Sequence, residues 1–356
     1  MTAILSPSLT VADARTHFAG GRGYLAACTV GLPTRGTRDA VLADLDASAA
    51  GRADPASYSA SVERSREHFA RLVGVDPDRV AIASQVSVVA GLVAAALPHG
   101  AEVVVPEGDF SSMLLPFVHA GRGIRLRTAP LARLADAITA TTAMVAFSLV
   151  QSATGEVADA ASIVAAARSH GARTFCDATQ AVGWLPVEAS DFDALACHAY
   201  KWLCAPRGVA FFTVSERFAR DIPPRLAGWY AGADPWASCY GVDVRLAEDA
   251  RRFDVSPAWQ AFVGAEPALE LFASIDPHGL SSHTTGLAAS FRAGMGLPAP
   301  DRPSAIVTWS DPAGTDLARL TLAGVTASGR AGRARVAFHV FNDERDVALA
   351  LAALRD

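Results

Sequence analysis

From about residue 62 the chain alternates short apolar runs with amphipathic stretches, and the alternation continues to about residue 214. Apolar positions recurring every three or four residues predict helices over 62–72, 86–97, 112–120 and 159–169, the second closed by Pro98-His99-Gly100. The short apolar runs between them predict strands at 79–82, 102–105, 124–127, 143–148, 173–177, 194–198 and 209–214. Strands separated by helical patterns imply an α/β fold whose central sheet is mostly parallel, with helices on both faces. Ligands bind such sheets beyond the carboxyl ends of the strands. Gln85, Asp109, Gln151, Asp177 and Lys201 all fall at or just after those ends. Between 221 and 254 the pattern breaks into a segment rich in proline, glycine and tryptophan. A smaller α+β unit follows, with helices at 257–274 and 283–294, strands at 305–310 and 334–341, and a last helix from Glu344. The expected division is an N-terminal segment (1–20), a large domain (21–245) and a small C-terminal domain (246–356).

The length of 356 residues exceeds one typical core, and a composition half apolar and only 19% charged suits a well-buried globular protein. A formal charge of −5 argues against a nucleic-acid partner, because phosphate backbones need a net basic face. The five cysteines (28, 176, 197, 204, 239) form no CxxC pair and no metal-like cluster with the histidines, so no metal is expected. Their odd number and irregular spacing fit a reducing cytoplasm. Residues 1–18 contain no basic stretch followed by an apolar core, and the longest apolar run is too short for a bilayer. Neither a signal peptide nor a membrane partner is expected.

The 31 basic residues include one lysine, Lys201. Arginine replaces lysine wherever a solvated positive charge is enough. It cannot replace an amine that must lose its proton and attack a carbonyl. Asp177-Ala178-Thr179-Gln180 precedes this lysine, and His198-Ala199-Tyr200-Lys201-Trp202 surrounds it. An acid at one strand end followed by an amine after the next strand is what covalent binding of pyridoxal 5′-phosphate requires. Lys201 is then the amine, and Asp177 the carboxylate that keeps the cofactor's ring nitrogen protonated so that the ring can accept electrons.

The remaining candidates take the other parts of the cofactor and the substrate. Gln180 can donate to the phenolic oxygen, while His198 and Tyr200 offer polar tips to the phosphate or to a proton. Gln85, Val86 and Ser87 open the 86–97 helix, whose N-terminus suits a phosphate. Phe110, in Pro106-Glu107-Gly108-Asp109-Phe110, can stack on the ring. Arg335 is the expected clamp for an amino acid's α-carboxylate, with Arg333 as its rival. Gln151 and the aromatics Trp229, Tyr230, Trp236 and Tyr240 are candidates for orienting the substrate.

Asp177-x-x-Gln180, His198-x-x-Lys201-Trp202, Pro206-x-Gly208 and Arg335-x-x-x-His339-x-Phe341-Asn342 together resemble the class V aminotransferases of the fold-type I pyridoxal-phosphate enzymes. The similarity runs from Tyr24 to Asp343. It implies a large cofactor-binding domain, a smaller C-terminal domain and a homodimer with sites at the interface, Ser256 reaching the partner's phosphate. The chain departs from the pattern at His198, where serine is usual, at Tyr200, where histidine is usual, and at Gln85, where glycine usually opens the phosphate turn.

Cysteine desulfurases of this group need a cysteine on a C-terminal loop to take the sulfur, and residues 311–332 contain none. The runs Ser148–Gly155 and Phe175–Trp184 look most like the C–S lyases of ergothioneine assembly and the enzymes acting on S-glycosyl-cysteine conjugates in lincosamide pathways. The resemblance therefore implies β-elimination from an S-substituted L-cysteine, giving thiol, pyruvate and ammonia. The alternative is decarboxylation coupled to oxidative deamination of the same substrates to an S-acetaldehyde; transamination is a weaker one. A non-catalytic cofactor-binding regulator would carry an appended DNA-binding domain and a basic face, and neither is evident.

Overall fold

The computed structural model describes residues 9–355. Seven strands form the central sheet: β1 (Val80–Ala83), β2 (Glu102–Pro106), β3 (Arg125–Ala129), β4 (Thr142–Ser148), β5 (Arg173–Asp177), β6 (Ala194–His198) and β7 (Ala210–Val214). Their order is β1-β7-β6-β5-β4-β2-β3. All neighbours run parallel except β7, which is antiparallel to both β6 and β1.

The helices, in chain order, are α1 (Val11–Arg15), α2 (Arg35–Ala49), α3 (Pro55–Leu72), α4 (Val86–Ala96), α5 (Ser111–Val118), α6 (Leu134–Ala137), α7 (Ala160–His170) and α8 (Glu216–Ala219). After these come α9 (Trp259–Ser274), α10 (Pro277–Gly294), α11 (Thr315–Leu322) and α12 (Glu344–Arg355). Alternate strand residues feed two cores. Ile82, Val104, Phe147, Cys176 and Phe211 meet α3, α7 and α9 on one face. Ala81, Val103, Ala146, Phe175 and Phe212 meet α4 and α5 on the other. The two-residue period of each strand therefore supports helices on both faces, as expected.

A three-stranded antiparallel sheet, β8 (Ile306–Ser310), β10 (Arg333–Ala337) and β9 (Ser328–Arg330), forms the smaller unit with α10, α11 and α12. Its core of Leu287, Phe291, Trp309, Val336 and Phe338 also takes in Leu25 from the N-terminal part. The strand expected at 334–341 ends at Ala337, because the chain turns at His339, whose amide donates to Asn342 Oδ1 (2.9 Å).

The domain boundary expected at 245 does not match the packing. Helix α9 lies against α2 and α3, with Phe262, Ala265 and Leu269 in the large core, so we draw the division near Asp276. Residues 24–28 likewise join the two units, since Leu25 belongs to the small core and Ala27 and Cys28 to the large one.

Arg66 on α3 and Asp254 are both almost fully buried and paired at 2.8 Å. Asp254 also accepts from the Ile82 amide at 2.7 Å, which ties the segment ahead of α9 to β1. Asp254→Ala leaves a buried guanidinium without this partner and should cost about 3–5 kcal/mol. Urea unfolding checks this, and a cost under ~1 kcal/mol contradicts it.

Candidate active site

The loop between β6 and β7 carries Lys201. Both carbonyls flanking this residue are fixed from outside the loop: Tyr200 O accepts from the Gly31 amide (2.9 Å) and Trp202 O pairs with His339 Nε2 (2.9 Å). Val340 N donates to His339 Nδ1 at 2.8 Å, so the imidazole proton sits on Nε2 and points at Trp202 O. A side chain at position 31 would place its Cβ 2.1 Å from the Lys201 carbonyl oxygen, so only glycine fits there. Lys201 is 7% exposed. Burial pushes its amine down to about 8, against an upward pull from Asp177. A useful fraction is therefore neutral near neutral pH.

Asp177 closes the neighbouring strand β5 and is also buried. Its Oδ1 accepts from the Thr179 amide at 2.9 Å. Burial raises its pKa, opposed by the Thr179 hydrogen bonds and by Lys201. Gln180 follows, donating through Nε2 to Cys28 O and accepting through Oε1 from Trp202 Nε1, both at 2.8 Å.

These groups face one cleft at the carboxyl end of the sheet. Nine of the anticipated residues line it: Gln85, Val86, Ser87, Phe110, Asp177, Gln180, His198, Tyr200 and Lys201. Helix α4 points its N-terminus into it, and no side chain caps that first turn. The Lys201 amine lies 5.5 Å from the Phe110 ring centre and 5.7 Å from that of Tyr200. His198 Nε2 is buried without a protein partner, and burial pushes its pKa down to about 4, with Lys201 and Arg207 adding to the effect.

Sequence reasoning missed six of the lining residues: Ser112, Ser148, Val150, Ser152, Thr179 and Arg207. Arg207 was the legible one, a cation inside Pro206-Arg207-Gly208 just after the lysine. Asp109 lies beneath the lining and holds Ser148 by its amide (2.8 Å) and its hydroxyl (2.6 Å).

The two small-unit arginines part company. Arg335 is 1% exposed and is not itself among the cleft-lining residues; it donates to Ser152 O, whose residue does line the cleft, to Thr29 Oγ1 (2.8 Å) and to Ser328 Oγ (3.1 Å). Arg333 turns to Thr308 Oγ1 (3.1 Å) and lines a separate cavity. Gln151 is buried and outside the lining set, its amide nitrogen without a protein partner. The aromatics do not gather as expected. Tyr230 is buried in the large core and Trp229 packs on it at 5.1 Å; neither lines the cleft of its own chain. Trp236 and Tyr240 are exposed, as is Ser256, and none of them lines that cleft.

Residues 51–297 match the family model described as Aminotransferase class-V. The chain belongs to the class V aminotransferase family. It is 30% identical to isopenicillin N epimerase of Streptomyces clavuligerus over 72% of each chain. To a probable cysteine desulfurase of Aeropyrum pernix it is 31% identical, over 60% of this chain and 54% of that one. In the solved structures, the cystine C–S lyase C-DES in complex with its product cysteine persulfide gives a TM-score of 0.82 at 21% identity, over 95% of this chain and 98% of that one, a likeness of fold. The chain is thus a class V enzyme related to cysteine desulfurases, and the cofactor of this family is pyridoxal phosphate.

The cleft residues fit that group. An uncapped helix N-terminus with Ser87 and Arg207 suits a phosphate, a buried carboxylate suits a ring N–H, and the orphaned His198 nitrogen and the Gln180 amide offer further polar contacts. Among the described residues, no cluster of three or more metal-ligating side chains occurs, and no helix is long and apolar enough to cross a membrane.

Proposed function

We propose that this protein is a C–S lyase that performs β-elimination on an S-substituted L-cysteine, such as an S-glycosyl-cysteine, in a lincosamide-type secondary pathway. One observation carries the choice of reaction. Arg335 is a buried cation with no carboxylate partner among the described residues, and it donates to Ser152, a residue that lines the cleft holding the buried Lys201 amine. A buried guanidinium of this kind is stabilised by a substrate carboxylate. In this reading a carboxylate held by Arg335 would be kept from leaving, so the Cα–H bond and not the Cα–C bond would be the one cleaved.

When bound, pyridoxal phosphate supplies an electron sink conjugated to the substrate's α-carbon. The chain's own residues do the rest. The α4 N-terminus with Ser87 and Arg207 would hold the phosphate, Asp177 would hold a proton on the ring nitrogen, and Gln180 would donate to the phenolic oxygen. Phe110 would stack on the ring. The Lys201 amine, kept near neutral by burial, takes the α-proton. The Cβ–S bond then breaks with its electron pair leaving on sulfur. Water releases ammonia from the remaining three-carbon unit, giving pyruvate. The absence of any cysteine after Cys239 supports release of the thiol rather than transfer of its sulfur to the protein.

The same reading takes the protein as a cytoplasmic homodimer in which Ser256 serves the partner's site. Exposed Val30, Leu42 and Leu45 support it, as does the apolar groove lined by Pro33, Val41 and Pro206 beside the cleft.

The test is anaerobic incubation with an S-glycosyl-cysteine. Pyruvate and free thiol in equal amounts are expected; carbon dioxide release that tracks turnover, with an oxygen requirement, overturns the reading. Arg335→Ala should raise KM by the loss of a charge-assisted pair, about 2–5 kcal/mol, with cofactor binding intact. Arg333→Ala should change KM by less than about threefold, under ~1 kcal/mol. Steady-state kinetics on both variants check this.

A further inference from the structure

Gln180 has an amide whose two ends are chemically different, and the structure commits each of them. Its Oε1 faces the indole N–H of Trp202 at 2.8 Å. An indole nitrogen only donates, so this contact decides which end of the amide turns toward Trp202. The NH₂ end is then on the side of Cys28 O, which takes one hydrogen at 2.8 Å, and the second hydrogen remains for the cleft that Gln180 lines. The backbone of the same residue is pinned as well, because Trp184 Nε1 donates to Gln180 O at 2.6 Å.

Trp202 in turn is fixed by the small unit. It is fully buried, and its ring lies nearly parallel to the His339 imidazole, with centroids 5.3 Å apart and planes 15° apart. The Nε2 proton of His339 meets Trp202 O at 2.9 Å. Phe341 stacks on the far side of His339 at 4.7 Å. A continuous set of contacts thus runs from the end of β10, through His339 and Trp202, to the amide of Gln180.

We propose that Trp202 and His339 are positioning residues that set the orientation of the Gln180 amide, so that its nitrogen and not its oxygen faces the cofactor's phenolic oxygen. Without the indole N–H only the Cys28 carbonyl still selects this orientation, so the amide turns its oxygen into the cleft more readily, where it meets another acceptor. The inference rests on the proposed role of Gln180, and the test separates the two.

Trp202→Phe leaves an aromatic ring against His339 and removes the N–H together with the rest of the pyrrole ring. The readout is the pH midpoint of the holoenzyme's visible cofactor band, together with cofactor stoichiometry. A donor at the phenolic oxygen favours its negative charge and lowers the chromophore's proton affinity. Losing it should raise the midpoint by about one pH unit, the scale of one hydrogen bond to a charged group. Gln180→Leu should raise it similarly, and adding Trp202→Phe to Gln180→Leu should raise it no further.

An unchanged midpoint in Trp202→Phe with cofactor bound overturns the proposal, and so do additive shifts in the double variant. If Gln180→Leu leaves the midpoint unmoved while Trp202→Phe shifts it, the role of Gln180 fails and the positioning claim fails with it. Should Trp202→Phe not fold, His339→Phe carries the same comparison: it keeps the stack and loses the N–H to Trp202 O. A smaller shift in the same direction is expected, absent on the Gln180→Leu background; no shift, or one that persists there, overturns the proposal.

Discussion

Lys201→Arg should abolish turnover while leaving the fold intact. The substitution preserves a positive charge and most of the side-chain volume, yet a guanidinium stays protonated at any working pH and can neither condense with an aldehyde nor accept an α-proton. The site is built to do the opposite. Burial brings the Lys201 amine down to about 8, and the Gly31 amide and the His339 imidazole hold the carbonyls of the residues before and after it. Loss of both roles should slow the reaction by at least about 10³-fold, some 4 kcal/mol of barrier. Matched circular dichroism spectra, with turnover measured on an S-substituted cysteine, check this. Turnover within tenfold of wild type contradicts it.

Asp177→Asn should come next in size. The amide is nearly isosteric and still accepts the Thr179 amide hydrogen, so β5 and its neighbours should be undisturbed. It cannot hold a proton on the ring nitrogen by charge. Removing one fixed charge from a buried site where electrons accumulate costs several kcal/mol of barrier, a rate loss on the order of 10²-fold or more. The KM should change little, because the group faces the cofactor and not the substrate carboxylate. A kcat within about threefold of wild type means that a different acid does this work.

Much of this was legible in the sequence. The strands expected at 173–177 and 194–198 stand at those residues; the second is fully buried and reads as an apolar run that ends on a polar residue, and the first carries its apolar pair Phe175-Cys176 just before its polar end. Those polar ends are Asp177 and His198, so the pattern that marked the fold also marked the cleft. Helix α2 was not anticipated. Among its residues only Thr37 is buried, so it carries no apolar stripe to find. The front half of α3 escaped for a similar reason, since its start is set by the Asp54 cap and Pro55 in a stretch of alanine and serine.

The roles of aromatic residues were the least legible part. Trp229 and Tyr230 have the chemistry of substrate contacts, but the large core takes Tyr230 and packs Trp229 against it. Composition names a side chain without saying which way its segment turns. Arg335 and Arg333 show the converse: alternation along a strand sends residues two apart to the same face, yet the first turns its guanidinium to Ser152 and the second to Thr308.

The covalent bond between cofactor and chain tests the central claim most directly. The holoenzyme, reduced with borohydride, digested and analysed by mass spectrometry, should carry one pyridoxyl group, on the peptide containing Lys201 and on that residue alone. A fully reconstituted protein that yields Lys201 unmodified would contradict the account.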